Sequence, residues 1–142
     1  MNSGGTVRVP QQGDLAFLAN MIGGSLVGCY ARLYSNEHSF SPTDNVSDYT
    51  EATFPGYTPQ SVVWGTPSIN SDGKAQSASS PVIFLYPGPS GGSYKVYGAY
   101  VTDTSLAHLY LVYPFLQPYT FGPGETMLPL SLVLTVVGEL LS

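Results

Sequence analysis

From residue 26 onward the apolar and polar positions alternate at the period of strands, and turn residues break the pattern at short intervals. Leu26–Ser35 is the first such run, and Asp48–Thr53 and Ser61–Gly65 are shorter ones. Pro81–Tyr86, Tyr94–Thr102, Leu109–Phe115 and Thr126–Val137 follow. Between them lie a polar loop, Asn36–Ser47, with Ser41-Pro42-Thr43-Asp44 as turn chemistry, and the turn Phe54-Pro55-Gly56-Tyr57. Asn70–Gly73 is a further turn, because Asp72-Gly73 is a strong hairpin signal. About seven to eight strands at this spacing predict an all-β fold, an antiparallel, jelly-roll-like β-sandwich.

Helical spacing occurs once. Leu15, Leu18, Met21 and Ile22 fall on one stripe after the N-cap residue Asp14, which predicts a short helix over Asp14–Ile22 stopped by Gly23 and Gly24. Residues 1–12 read as an extended N-terminal arm, and residues 13–142 as a single β-sandwich domain. The apolar run Met127–Leu141 is shorter than a membrane helix and is interrupted by Pro129. It is expected to form a strand buried on both faces, one in the core and one against a second subunit. Met1–Thr6 lacks positive charge and no apolar leader follows, so no signal peptide is expected.

Composition narrows the function classes. Only 9% of the residues are Asp, Glu, Lys or Arg, against ~25% in ordinary domains. The 4 basic residues, Arg8, Arg32, Lys74 and Lys95, are scattered, and the net charge is -5. Nucleic-acid binding needs clustered cations, so it is not expected. Cys29 is the single cysteine, which excludes an intrachain disulfide and a cysteine zinc cage, and it reads as a small buried apolar residue.

The candidate chemistry is sparse. Gly88-Pro89-Ser90-Gly91-Gly92 matches the G-x-S-x-G hydrolase pattern, but strands flank it where a helix should follow, so it reads as a hairpin loop. His38 and His108 have no second ligand at metal-binding spacing and are expected to be solvated or lightly packed. Asp44, Asp48 and Glu51 are the densest carboxylate group, for which a calcium site and ordinary turn roles are both open, the turn roles being favoured. Asn45-Val46-Ser47 is a formal glycosylation sequon, taken as incidental. No catalytic, cofactor-binding or metal residues are assigned, and no enzyme is expected, because no nucleophile, base and orienting group come together. Tyr94, Tyr97, Tyr100, Tyr110 and Tyr113 lie on adjacent predicted strands. They fit a sandwich core first, then a subunit or partner interface, and last a platform for sugar rings.

Several blocks in order also resemble a known group. They are Arg8-Val9-Pro10-Gln11-Gln12-Gly13-Asp14, Ala31-Arg32-Leu33-Tyr34-Ser35-Asn36, Ser41-Pro42-Thr43, Asp48-Tyr49-Thr50-Glu51-Ala52-Thr53-Phe54-Pro55-Gly56-Tyr57 and Val96-Tyr97-Gly98-Ala99-Tyr100-Val101-Thr102-Asp103. The order is similar to that of small structural proteins of tailed bacteriophages, with departures at Gln12 and Asp14. The resemblance implies a virion component made in the bacterial host cytoplasm, and no catalytic residue or cofactor. The expectation is a capsid decoration (cement) protein, a homotrimer contacting itself and the major capsid protein, with no nucleic acid, membrane or small-molecule partner. A neck, tail or baseplate component and a tyrosine-based carbohydrate-binding module are the alternatives. In that picture the arm reaches a neighbour, and the tyrosine strands with Met127–Leu141 form the seam. Physically, Pro55 fixes φ and Gly56 accepts φ > 0, so a tight type II turn is expected at Phe54–Tyr57. Gly98 and Ala99 should leave room for a closely packed neighbour.

Overall fold

The computed structural model describes residues 7, 8, 10, 29–63, 68, 69, 71, 73, 75–86, 92–122 and 127–135. Among these residues nine strands run in chain order: β1 (Tyr30–Tyr34), β2 (Gln60–Ser61), β3 (Ser68–Ile69), β4 (Ala75–Ala78), β5 (Val82–Leu85), β6 (Tyr94–Thr102), β7 (Leu109–Phe121), β8 (Met127–Leu130) and β9 (Val133–Thr135). The fold is all-β, and every strand pairing is antiparallel. Among the described residues the single helical element is a 3-10 turn, Val46–Asp48. The helix expected over Asp14–Ile22 lies outside the described residues, as does most of the arm.

A four-stranded sheet in the order β2-β1-β6-β7 forms the centre. β6 has the boundaries its alternation predicts, and its residues serve two cores. Val96, Ala99 and Val101 belong to the larger one, while Tyr97 and Tyr100 belong to the smaller. The larger core lies between the central sheet and the β5–β8 pair, and joins Leu33, Val101, Leu111 and Phe121 to Phe84, Leu128 and Leu130. Burying each such Leu or Phe contributes about 1.5–3 kcal/mol before conformational entropy is subtracted. Phe54 is its aromatic hub, with ring centroids 4.7 Å from Phe121, 5.2 Å from Tyr57 and 5.9 Å from both Tyr86 and Tyr94.

The opposite face of the central sheet is covered by the 36–50 loop. Tyr49 folds down edge-on to Tyr34 at 4.9 Å and stacks on Tyr100 at 5.6 Å. β1 is therefore covered on both faces, which is why its sequence reads as an apolar mixture and not as a clean alternation.

The C-terminal run departs from expectation. Thr126–Val137 is not one strand: β8 pairs with β5, β9 pairs with β4, and Ser131–Leu132 lies between. On the facing chain the break falls at Ser79–Pro81, where proline has no N–H for the ladder. Ser79 spans it, its N–H donating to Leu132 O at 2.7 Å and its hydroxyl accepting from Leu132 N–H at 3.0 Å. Within the single chain β8 buries one face: Leu128 and Leu130 lie in the core, as expected, while Met127 on the other side is 53% exposed. Asp48–Thr53 is not a strand either. Asp48 closes the 3-10 turn, and only Glu51 makes an isolated bridge, to Tyr34.

Among the described residues, the two glycines with positive φ are where the sequence placed turns. Gly56 has φ +82° and Tyr57 N–H closes the Phe54–Tyr57 turn onto Phe54 O at 3.0 Å. Gly73, at φ +77°, lies between the paired strands β3 and β4. β7 is longer than Leu109–Phe115, because it resumes pairing after a bulge. Phe115–Pro118 stand opposite Tyr97, and Leu116 at the crest is 77% exposed. Pro114 and Pro118 fall on β7 at the sheet's edge, where a missing N–H costs little. Arg8 pairs its backbone with Val112 on β7 in both directions, each at 2.7 Å. Where it is described, the arm thus lies on the chain's own sheet.

Candidate functional site

The carboxylates and histidines singled out in the sequence each have a partner within the chain. Asp44 is buried within the 36–50 loop, where it accepts from Ser41 N–H at 2.9 Å, Tyr49 Oη at 2.7 Å and His38 Nε2 at 3.0 Å. Burial alone would raise its carboxyl; the hydrogen bonds from Tyr49, Ser41 and His38 outweigh that and hold it below the ordinary value. The Tyr49 hydroxyl is raised in turn, by burial first and then by donating to Asp44.

Asp48 accepts from Asn45 N–H at 2.9 Å, and Asn45 Oδ1 accepts from Ser47 N–H at 3.0 Å, so the sequon residue Asn45 is the N-cap of a capping box. Glu51 faces elsewhere. Both of its carboxylate oxygens accept from Arg32 Nη1 at 3.0 Å, and Oε2 accepts from Tyr57 Oη at 2.7 Å. Arg32 also donates Nε–H to Thr102 Oγ1 at 3.0 Å. The three carboxylates thus serve three separate structures. Among the described residues no group of three or more His, Cys, Asp or Glu is placed to hold a metal ion.

His108 sits in the β6–β7 loop, its Nδ1 2.8 Å from Asp103 Oδ2. Asp103 also accepts backbone N–H groups from Ala107 at 2.8 Å and His108 at 3.2 Å, which shape the loop around Leu106 at φ +61°. Both histidines are therefore paired with aspartates, a finding that histidine spacing alone did not foretell. The G-x-S-x-G match lies outside the described residues up to Gly91, its serine Ser90 included. Cys29 is buried, as expected.

The tyrosines divide. Tyr100 and Tyr110 are buried, and Tyr94, Tyr97 and Tyr113 are half-buried against the cores. This is the packing role that the sequence favoured.

Among the described residues, the outer side of β5 and β8 is exposed and apolar. β5 alternates, burying Val82 and Phe84 and presenting Ile83 (41% exposed) and Leu85 (57%) on its outer side. Across the ladder Leu85 pairs with Met127 and Ile83 with Pro129. Four apolar side chains thus share the outer face of the β5–β8 pair, with no charge among them. Comparison with protein-family models, with curated proteins and with solved structures finds no match to this chain.

Proposed function

We propose that this chain is a non-enzymatic assembly subunit, a structural protein of a bacteriophage virion, and specifically a capsid decoration protein that binds through protein–protein contacts. The observation that carries the reading is the uncharged outer face of Ile83, Leu85, Met127 and Pro129. Apolar side chains ordered on a sheet and depleted of charge are what stable interfaces bury. The virion setting rests on the resemblance of the ordered sequence blocks to those of small phage structural proteins. The internal pairing of Asp44, Glu51, His38 and His108 agrees with a chain whose polar groups maintain a scaffold.

In the homotrimer expected for a cement protein, size-exclusion with light scattering gives three copies per particle. The pair Leu85→Asp and Met127→Asp, on exposed positions, dissociates it without altering the circular dichroism spectrum. Image reconstruction of the parent particle then places many copies on threefold positions of the shell. A single ring at the portal or tail would move the protein to the neck or tail, and a chain absent from particles would end the virion reading.

A further inference from the structure

We propose a second contact surface, independent of the virion reading: the cleft at the end of β1 receives an extended, acidic segment of a partner protein. That segment adds to the open side of β6 and is held at the rim by Lys95. The cleft follows from an inequality of strand lengths. β1 pairs with β6 only from Gly98 to Thr102. Beyond Tyr34 the chain leaves the sheet, fixed by Asn36, whose side chain donates to Asp48 O at 3.0 Å and accepts from Thr50 N–H at 2.8 Å.

The first part of β6 therefore keeps β7 on one side, through Tyr94↔Phe121, Lys95↔Thr120 and Val96↔Tyr119. Among the described residues no strand occupies the other. Successive strand residues direct their N–H and C=O groups to alternate sides, so part of this stretch offers backbone hydrogen bonds to that side. Unpaired strand edges are the usual place for a partner's strand to add.

The space beside this edge is a cleft of about 190 Å³, bounded by Ser35 and Ala52–Phe54 on one side and Ser93–Val96 on the other. It is smaller than the ~300–1,000 Å³ of sites that enclose small molecules, which favours a shallow strip of chain. Among the residues that line it, Ala52, Phe54 and Val96 are buried and apolar, while Ser35, Thr53 and Ser93 are exposed and polar.

Charge selects the occupant. Arg32 is neutralised by Glu51, whereas Lys95 is exposed and, among the described residues, has no carboxylate at ion-pairing distance. A lysine on an open edge discourages pairing with an uncharged or basic strand. The same ammonium admits a strand that carries Asp or Glu.

The test uses labelled peptides of alternating valine and glutamate, with a valine–glutamine counterpart, followed by fluorescence anisotropy and by amide NMR of the full chain. The glutamate peptide binds at least about tenfold more tightly, weakens with added salt, and moves the amides of Ser93–Tyr97. Lys95→Glu removes the preference and Lys95→Arg retains it, while Arg8→Gln, on the opposite edge of the sheet, changes nothing. Equal binding of the two peptides, or none, overturns the proposal. So does self-association in light scattering that is abolished by Lys95→Glu, which would make the occupant a second copy.

Discussion

Glu51→Ala tests how much the fold depends on one buried charge. In the native state Arg32 Nη1 faces both Glu51 oxygens at 3.0 Å, and its side chain is only 9% exposed. Removing the carboxylate leaves the guanidinium with Thr102 Oγ1 on Nε, and deprives Tyr57 Oη of its acceptor. Breaking a fully buried pair costs about 3–5 kcal/mol. Glu51 is 27% exposed, so water can reach the vacated side. The expected loss is therefore about 2–4 kcal/mol, still far above the ~0–1 kcal/mol of a surface pair. Glu51→Gln, which keeps an acceptor and loses the charge, should fall between parent and alanine. Arg32→Met combined with Glu51→Leu removes both charges and should cost less than the two single changes added. Urea unfolding followed by circular dichroism measures each value, provided the dependence on urea keeps a constant slope. A Glu51→Ala loss below about 0.5 kcal/mol, or strict additivity in the double variant, would refute the argument that an uncompensated charge is the cause.

Gly98→Ala should destabilise by about 1–3 kcal/mol. Its Cβ would lie 2.5 Å from Tyr34 Oη, 2.6 Å from Tyr34 Cε1 and 2.7 Å from the backbone oxygen of Tyr113. A thermal midpoint equal to the parent's would show that this contact can relax. Acid should weaken the 36–50 loop, because the lowered Asp44 carboxyl stabilises the fold above its ordinary value of 3.8 and loses that contribution as pH falls through the native one. The stability gap between parent and Asp44→Asn should accordingly narrow in acid; a gap independent of pH would contradict it. At the alkaline end, burial pushes Tyr34 up to about 12 from 10.0 and raises Tyr57 and Tyr100 as well. The folded state binds these protons more tightly, so this stability is intact below pH 10 and is lost as pH rises through about 12. Phenolate absorbance should lag and then rise together with loss of structure. Ionisation of all tyrosines near pH 10 in an intact fold would count against it.

Local signals were readable where one residue type has one backbone solution. Pro55–Gly56 and Asp72–Gly73 marked turns, and the alternation of Tyr94–Thr102 delimited β6 to the residue. Pairing choices were not readable, since nothing within Thr126–Val137 states that its halves face different strands; that depends on Pro81, nearly fifty residues earlier in sequence. The Arg32–Glu51–Tyr57 cluster was also missed. Its signal was present: an arginine between Ala31 and Leu33 in an apolar strand needs an acceptor when both sheet faces are covered. Asn45-x-x-Asp48 likewise has the spacing of a capping box, and the 3-10 turn it starts takes Asp48 out of the strand expected over Asp48–Thr53. The open flank of β6 depends on where β1 stops, which periodicity over β6 alone cannot report.

The bent ladder of β4–β5 against β8–β9 also orders events during synthesis. Val82 waits for Leu130 and Ala78 for Val133, partners about 50 residues further on, and β1 waits for β6 over a still longer interval. Loop closure of that length is slow compared with local pairing. As the chain leaves the ribosome, β6 and β7 can close on each other through the short 103–108 loop and β4 can pair with β3, while β5 and the other side of β4 wait for residues 127–135 to emerge. A chain truncated before residue 127 would keep its central hairpin yet leave Val82 and Phe84 without their cover. Its aggregation in a stalled or incomplete product is the expected penalty of placing the partners of β4 and β5 so much later in the chain.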